Sequence, residues 1–459
     1  MRAAVVGGGV LGLTLAYRLA RLGHRVDLLE AEPRIGGLAA PQDYGPFVWD
    51  RFYHCILPQD TSLIALLGEL GLADDLRWKK TGTGYYKDGR FHSMSGNRDF
   101  LRFPLLTFAD KARLAAAVLY ATRLARPDDL YRISAQDWLT RLCGRRAYEI
   151  FWQPLLRAKF GPFHDQVAAV FIYATLVRLF GARSASAGQE SLGYVRGGYR
   201  RILEAFASRL REAGATIHVS SPVLSIEPLP ASGGRPLCRV RWREGGGGES
   251  AGEYEQVVFT APTRLARRVA APALLPIVER AERDHPTSSA YLGVACLVLV
   301  LERPLTPYYV LNIGDPAVEL TGLIEMTNLV DARAETSGLS LVYLPRYMDS
   351  ESDGFTTGDD ALRSAFVERG LKRLFPAFDP ARALYAGVHR ARYVQPLPLV
   401  RDAATAAAAS SDTDEALRAP FAIVNTAMLR CATLNNNEVV GLVDRFVAAN
   451  TADLREPRG

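Results

Sequence analysis

The stretch that decides the fold is residues 2–37, RAAVVGGGVLGLTLAYRLARLGHRVDLLEAEPRIGG. Residues 2–6 form an apolar run that predicts a short buried strand, and three glycines follow it. The apolar spacing of residues 11–22 predicts a helix that Gly23 closes, and residues 25–30 predict a second strand. A strand, a glycine turn, a helix and a second strand make a βαβ unit, so the sequence predicts an α/β fold.

The glycine turn has the spacing of a dinucleotide-binding fingerprint. Gly7 permits the tight turn, Gly9 lets the backbone approach a pyrophosphate, and Gly12 lets the helix pack closely on the strand. The pyrophosphate would then lie on the free N–H groups at the start of the helix. Glu30, which ends the second strand, is placed to accept hydrogen bonds from a ribose. This pattern does not separate NAD from FAD, and a glycine turn without a ligand is the alternative.

The loop after Glu30 narrows the choice of ligand. In residues 30–38, EAEPRIGGL, a cation at Arg34 and a glycine pair at Gly36 and Gly37 follow the carboxylate. A backbone without side chains can pass close to a phosphate or ribityl chain, and the arginine supplies charge. The segment resembles the signature of the flavin amine oxidase superfamily, which includes protoporphyrinogen oxidases, phytoene-type desaturases and UDP-galactopyranose mutases.

The resemblance implies a Rossmann-like FAD-binding domain of the amine-oxidase type, with an interleaved substrate-binding domain of mixed sheet plus helices. It also implies FAD bound in extended form across the interface of the two domains. Segments 1–60, 191–275 and 401–459 are the expected parts of the FAD-binding domain, the last with a frayed C-terminus. Segment 61–190 is the expected helical substrate or cap region, and 276–400 the substrate-binding domain with its mixed sheet.

The resemblance also implies residue roles beyond the first loop. The stretch SPVLSI is similar to the family strand whose valine backbone contacts the adenine, which gives Val223 that role. The stretch QVVFTAP, which contains Ala261, is similar to the strand and turn that return to the cofactor. The implied cofactor-binding residues are Gly7, Gly9, Val10, Leu11, Gly12, Glu30, Ala31, Arg34, Gly36, Gly37, Leu38, Val223, Ala261, Asn425, Asn437 and Val439.

One departure from the family lies near the C-terminus. Many members carry a Gly-Asp or Gly-Arg pair that contacts the ribityl or phosphate groups, whereas this chain reads AIVNT at 422–426. Asn425 is the expected substitute, as a neutral hydrogen-bonding group. The stretch LNNNEVVG at 434–441 predicts an asparagine cap on a helix, to which Asn437 and Val439 belong. In the family this helix points its N-terminus at the flavin ring; an ordinary helix cap is the alternative.

A flavin supplies the redox chemistry, so the protein need only position a substrate beside it. The stretch DRFYH follows the double-glycine loop at the place where relatives enter the flavin pocket. It predicts Arg51, Tyr53 and His54 as catalytic pocket residues, with a packing role as the alternative for His54. Arg392 precedes a proline-rich stretch similar to the loop in front of the flavin, and is predicted to hold an anionic group unless it is a surface arginine.

Three functional hypotheses follow. The leading one is an FAD-dependent oxidoreductase of the amine oxidase or desaturase type, in which a hydride passes from the substrate to flavin N5. The second is a non-redox flavoenzyme similar to UDP-galactopyranose mutase, acting on a sugar nucleotide or a lipid-linked sugar. The third is a binding subunit in which FAD is structural. The seven histidines contain no pair with metal-ligand spacing, so no metal is predicted.

Composition limits the partners. The net charge of +6 is spread along the chain without a nucleic-acid module, so a small molecule, anionic or lipophilic, is the predicted partner and nucleic acid is not. The five cysteines are scattered, which leads us to expect a reducing cytoplasm. The apolar and basic residues of 108–126 predict a helix that contacts a membrane surface peripherally or else packs on the core. The oligomeric state is not predicted.

Overall fold

The computed structural model describes residues 1–184, 191–232, 235–285, 290–401, 420–429 and 433–450. The frayed C-terminus expected from the sequence lies outside this range. The strands, in chain order, are β1 Arg2–Val6, β2 Arg25–Leu29, β3 Pro41–Asp43, β4 Val48–Asp50, β5 Leu76–Lys80, β6 Thr83–Lys87, β7 Arg90–Ser93, β8 Ser191–Val195, β9 Thr216–His218, β10 Val223–Ser232, β11 Arg235–Arg243, β12 Glu249–Tyr254, β13 Gln256–Phe259, β14 Tyr291–Leu301, β15 Val310–Ile313, β16 Gly322–Glu325, β17 Ser340–Asp349, β18 Tyr385–Pro396 and β19 Phe421–Ile423.

The helices surround these strands and are concentrated between β7 and β8. In chain order they are α1 Val10–Arg21, α2 Thr61–Glu69, α3 Asn97–Arg102, α4 Phe108–Arg123, α5 Ala135–Cys143, α6 Arg145–Ala147, α7 Gln153–Phe160, α8 Ala169–Ser184, α9 Gly198–Glu212, α10 Thr263–Val269, α11 Leu275–Asp284, α12 Ala332–Glu335, α13 Asp359–Phe366, α14 Lys372–Leu374 and α15 Asn436–Ala449.

A five-stranded parallel sheet is assembled from distant parts of the chain. Its order is β19-β13-β1-β2-β9, and each neighbouring pair is parallel. The predicted βαβ unit is confirmed, because α1 connects β1 to β2. A parallel sheet buried on both faces needs strands without polar alternation, and AAVV at residues 3–6 supplies one. The three-stranded antiparallel sheet β10-β11-β12 directly precedes β13 of the parallel sheet in the chain.

A seven-stranded mixed sheet forms the second layer. Its order is β18-β14-β17-β16-β15-β6-β7, and only β15 and β6 pair in parallel. The central strand β14 is buried over its whole length. Alternate residues of β14 lie in different clusters: Cys296 packs with Trp49 and Tyr343, while Leu297 packs with Phe366 of α13. The predicted α/β class with a separate mixed sheet is therefore confirmed.

The region between β7 and β8 is mainly helical and has its own core. Trp138, Phe160 and Phe171 are buried in it. The N-terminus of α5 is capped as the sequence indicates, because the Ser134 hydroxyl accepts a hydrogen bond from the Asp137 N–H at 3.0 Å. Among the described residues, no helix is long and apolar enough to cross a bilayer. The domain boundaries at 60, 190, 275 and 400 stay predictions.

Candidate functional site

The glycine turn brings the start of α1 very close to the end of β1. The Gly7 N–H donates to the Leu29 carbonyl at 2.8 Å, and Gly7 has a φ of +113° that favours glycine. A Cβ on Gly12 would lie 1.9 Å from the Gly7 carbonyl oxygen. The first turn of α1 can therefore approach the strand only because residue 12 lacks a side chain.

The space outside this turn is open. A Cβ on Gly9 would meet no atom of the protein within 4 Å. Gly9 is the N-cap of α1 and provides no side-chain hydrogen bond to the helix. The first N–H groups of a helix, here from Val10 and Leu11, have no partner within the helix, and the helix dipole favours an anion there. The turn therefore fits a pyrophosphate, as the sequence predicts.

Glu30 follows β2 and is fixed by the backbone. Its Oε2 accepts a hydrogen bond from the Gly8 N–H at 2.6 Å, and its Oε1 accepts from the Glu32 N–H at 2.8 Å. Burial raises the pKa of this carboxyl group, which is only 9% exposed. Each carboxylate oxygen keeps a second lone pair, so the group fits the hydroxyls of a ribose. Ala31 and Arg34 beside it are exposed.

The double glycine lies across the fingerprint turn. The Gly36 N–H donates to the Gly8 carbonyl at 2.8 Å, and Gly36 and Gly37 have φ values of +123° and +56°. A Cβ on Gly37 would lie 3.3 Å from the Gly9 Cα. The two glycine loops therefore form one wall of backbone without side chains. Leu38 leaves this wall and packs against the core of the mixed sheet.

The predicted second FAD-binding segment, residues 191–275, meets the first at this edge. The Ser221 N–H donates to the Glu30 carbonyl at 2.7 Å, which places Val223, the first residue of β10, near the ribose carboxylate. Ala261 follows β13, the parallel neighbour of β1. In open parallel sheets, ligands bind outside the carboxyl ends of the strands. The predicted positions of Val223 and Ala261 are compatible with that placement.

Asn425 has a different environment from the one expected of a cofactor contact. It is 1% exposed, and its Nδ2 donates to the Ala261 carbonyl at 3.1 Å and to Thr263 Oγ1 at 2.9 Å. Its Oδ1 accepts from the Ala427 N–H at 3.0 Å. Both amide hydrogens are used within the chain, so this side chain holds β19 to the turn after β13. It does not offer the free donor expected of a substitute for the family's Gly-Asp pair.

The asparagine cap predicted for α15 is present. The Asn435 side chain accepts a hydrogen bond from the Glu438 N–H at 3.0 Å. Val439 donates its N–H to the Asn435 carbonyl at 3.1 Å and is buried in the core around α1 and α2. The Val439 side chain therefore faces the protein interior, which leaves it no side-chain contact with a cofactor.

Asn437 caps a different helix. Its Oδ1 accepts hydrogen bonds from the N–H groups of Ser62 at 3.0 Å and Leu63 at 3.2 Å, at the start of α2. Asp60, the N-cap of α2, provides no side-chain hydrogen bond to that helix. The side chain expected to contact the cofactor therefore joins α15 to α2, because the nearest unsatisfied donors belong to that helix.

Arg51 lies against the double-glycine loop. Its Nη2 donates to the Gly37 carbonyl at 3.2 Å, whereas its buried Nε has no hydrogen-bond partner among the described residues. Burial and the nearby Arg51 guanidinium lower the pKa of His389 on β18 to about 4, so His389 is neutral. The arginine therefore lies between the loop and the mixed sheet, and its buried Nε–H is free to bind a ligand.

The side chains of Tyr53 and His54 point to different surroundings. Tyr53 Oη lies 3.3 Å from Tyr347 Oη on β17. The His54 ring lies 4.5 Å from the Tyr199 ring, and His54 Nδ1 is 3.6 Å from Asp50 Oδ2. His54 thus lines a small cavity formed with Trp49, Asp50, Cys55, Ile56, Gly193, Tyr194, Val195, Gly198, Tyr199 and Met326. The structure does not bring the two predicted pocket residues together.

Arg392 is not part of this group. Its Nη1 donates to the Ser350 carbonyl at 2.8 Å, and its guanidinium lies 4.9 Å from the centre of the Phe355 ring. These contacts hold the side chain of Arg392, a residue of β18, against the loop that follows β17. Its predicted role as an anion-binding residue at the flavin therefore has no support in the arrangement.

Two residues that sequence reasoning missed lie on the other side of Tyr53. Tyr347 hydrogen-bonds with Tyr53, and Lys159 Nζ lies 5.0 Å from the centre of the Tyr347 ring. No motif marks either residue, and Lys159 lies in the stretch LLRAKF, which also contains Arg157. Among the described residues, no three His, Cys, Asp or Glu side chains are grouped so that they could hold a metal ion.

Comparisons with known proteins place these features in context. A profile of a family described as flavin containing amine oxidoreductase matches residues 12–418. The zeta-carotene desaturase of Zea mays is 31% identical over 188 residues, 34% of this chain and 31% of the relative. This chain therefore spans about a third of that curated relative.

Solved structures are similar over nearly the whole chain. An oxidoreductase from Methanosarcina mazei has a TM-score of 0.71 at 17% identity, covering 97% of this chain and 99% of that one. Reduced UDP-galactopyranose mutase has a TM-score of 0.69 at 13% identity, covering 99% of this chain and 94% of that one. At these identities the likeness shows a shared fold.

Two glycine substitutions test whether the glycine turn binds FAD. Gly9→Ala should leave the apo-protein as stable as wild type, because the new methyl group meets no protein atom, and should weaken FAD binding by about tenfold or more by filling the space for the pyrophosphate. Gly12→Ala should lower the Tm of the apo-protein itself, because the methyl group collides with the Gly7 carbonyl. FAD titration and thermal unfolding measure both. An unchanged FAD affinity in Gly9→Ala would contradict the assignment.

Asn437→Ala tests whether Asn437 of α15 caps the N-terminus of α2. Loss of the cap on α2 should cost about 1 kcal/mol, which corresponds to roughly fivefold faster hydrogen exchange within Thr61–Glu69. FAD affinity should stay at the wild-type value. Asn97→Ala, at an exposed residue of α3, is the control. Normal exchange together with weakened FAD binding would restore Asn437 as a cofactor contact.

Proposed function

This chain belongs to the flavin containing amine oxidoreductase family, and we propose that it oxidises a small-molecule substrate whose hydride passes to flavin N5. Membership confirms the predicted flavin cofactor. The observation that supports the proposal best is the wall of glycine backbone, formed by the two glycine loops, beside the buried Glu30 carboxylate. That wall fits the pyrophosphate and ribose of FAD and extends toward Arg51.

The chain's own groups would hold the two ends of FAD differently. The N–H groups at the start of α1 would bind the pyrophosphate, and Glu30 would accept from the ribose. At the flavin end, the unpartnered Nε–H of Arg51 would donate to the cofactor, since a buried donor without an acceptor is costly. Burial raises the pKa of Tyr53 well above its usual value, so its hydroxyl stays protonated and can donate to a substrate.

A non-redox function is the second candidate. The fold similarity to reduced UDP-galactopyranose mutase favours it, since that protein carries the same architecture over nearly the whole chain. The cofactor-binding groups at Glu30 and Gly36 would serve either the oxidation or the non-redox reaction. The two candidates differ in whether the substrate itself reduces the flavin.

We also propose that the protein contacts membranes peripherally through the α4 face, defined as the exposed residues of α4 and its flanks. Phe108 is 79% exposed and Leu124 is 72% exposed. Large apolar groups and exposed arginines lie together there, which suits the surface of an anionic bilayer. The α4 face comprises Leu101, Arg102, Phe108, Arg113, Leu119, Tyr120, Arg123, Leu124 and Arg126.

Anaerobic mixing separates the two functional candidates. Candidate hydride donors, including primary amines, α-amino acids and ζ-carotene, should include one that bleaches the flavin absorption band of the purified protein. UDP-galactopyranose serves as the comparison substrate. If only dithionite-reduced protein converts that sugar nucleotide, and no donor bleaches the flavin, the mutase-like function replaces the oxidoreductase. A protein with no flavin band would contradict both.

Vesicle binding tests the α4 face. The protein should sediment with phosphatidylcholine vesicles that contain phosphatidylglycerol, and less with phosphatidylcholine alone. Phe108→Glu with Leu124→Glu should weaken binding by about tenfold or more, since each exposed side chain contributes roughly 1.5–3 kcal/mol when buried. Leu384→Glu, at a 57% exposed leucine elsewhere, is the control. Equal sedimentation of both variants would reject this surface.

A further inference from the structure

Lys159 on α7 is a partly buried cation surrounded by aromatic rings. Its Nζ lies 6.0 Å, 5.3 Å and 5.0 Å from the ring centres of Phe160, Phe171 and Tyr347. Burial alone lowers its pKa to about 8, and no ion pair joins it to a carboxylate among the described residues. The partly buried Arg178, by contrast, pairs with Asp60 at 2.9 Å.

The aromatic cage opens toward the predicted flavin pocket. Tyr347 forms one side of the cage, and its hydroxyl lies 3.3 Å from that of Tyr53. Tyr53 is separated by a single residue from Arg51, which binds the double-glycine loop. The cage, the two tyrosines and the glycine wall therefore form a continuous path from the helical region to the FAD-binding segments.

Partial exposure indicates that the path is a cleft and not a sealed core. Tyr53, Tyr347 and Lys159 are each partly exposed, although they lie between packed layers. Trp152 is partly exposed as well and packs against the core of the helical region. It lies seven residues before Lys159, in the π-helical turn Tyr148–Trp152 that leads into α7, and its buried Nε1 has no hydrogen-bond partner among the described residues. The Lys159 ammonium borders this cleft without a paired carboxylate in the part of the chain that the structure describes.

We propose that Lys159 is the anion-binding residue of the substrate site, and that the substrate is a small molecule with a carboxylate beside an apolar, ring-containing body. The ammonium pairs with the carboxylate, one of the two hydrogen-bonded hydroxyls of Tyr53 and Tyr347 donates to it, and the rings of the cage cover the apolar body. Aromatic faces stabilise an ammonium only in part, so a bound anion supplies the missing counter-charge. The inference rests on the proposed function, because it places the substrate on the flavin side of the cleft.

The neighbouring titratable groups leave Lys159 as the one that titrates near pH 8. Burial raises the pKa of both Tyr347 and Tyr53, so these hydroxyls stay neutral there. On the segment before α7, Glu149 is exposed, and beyond α7, His164 accepts a hydrogen bond from Arg157 Nε at 3.2 Å. Tyr148 hydrogen-bonds to Gln136. Anion binding should therefore be strong below pH 8 and fall as the pH rises through the pKa of Lys159.

Benzoate, with neutral benzamide as its matched probe, tests the assignment on the FAD-loaded protein. Calorimetric titration at pH 7 should show benzoate binding about tenfold or more tighter than benzamide, and benzoate affinity should fall about tenfold per unit above pH 8. Lys159→Met should abolish the preference. Lys159→Arg should keep it and make it independent of pH between 7 and 9, since a guanidinium stays charged. Lys79→Met, at an exposed lysine of β5, should behave as wild type.

Two results would overturn the assignment: wild-type protein that binds benzoate no better than benzamide, or equal benzoate affinity in wild type and Lys159→Met. If Lys159→Met loses FAD or its native circular dichroism, the pH profile of Lys159→Arg decides instead, and a slope like that of wild type would reject the role of Lys159. Benzoate binding through Lys159 without any donor-dependent bleaching would contradict hydride transfer alone. Bleaching with unaltered benzoate binding in Lys159→Met would contradict the anion site alone.

Discussion

The close approach of α1 to the end of β1 is the constraint on which the rest of the site depends. A side chain at Gly12 would overlap the Gly7 carbonyl, so the helix reaches this position only with hydrogen there. The approach leaves open space outside Gly9 and sets the Gly8 N–H against the Glu30 carboxylate. The Gly36 loop then crosses the turn. This one steric condition thus leaves space for an anion at Gly9, positions Glu30 for a ribose and lets the Gly36 loop pass close to the turn.

Two partly buried cations on either side of Tyr53 have donors that no carboxylate of the described residues satisfies. Arg18, by contrast, meets Glu69 and Asp444. Arg51 keeps a buried donor without an acceptor, and Lys159 keeps an ammonium without a carboxylate. Such groups are costly in isolation, since burial removes their hydration without replacing it. Their position on either side of Tyr53 is best explained by anionic or carbonyl groups that arrive with cofactor and substrate.

The asparagines near the C-terminus show how local pattern and tertiary role can differ. Asn435 caps its own helix, as the stretch LNNNEVVG at 434–441 predicts. Asn437 and Asn425 instead bind backbone groups of α2 and of the turn after β13. A side-chain amide binds the nearest unsatisfied donor or acceptor, and in both cases that group comes from a segment far away in sequence. The residue type therefore indicated that each asparagine makes hydrogen bonds, but the sequence did not indicate which groups it binds.

The sequence by itself determined the βαβ unit, the fingerprint glycines and Glu30, because strand, turn and helix are contiguous and their steric demands are local. The flavin cofactor followed from the resemblance of residues 30–38 to a family signature. Caps such as Ser134 were predictable for the same reason. Only the tertiary structure decided that Tyr53 faces Tyr347 while His54 faces Tyr199, and that Lys159 joins the same cleft. These contacts join the pocket loop, the helical region and the mixed sheet, whose relative placement depends on packing across layers and not on any neighbouring residue.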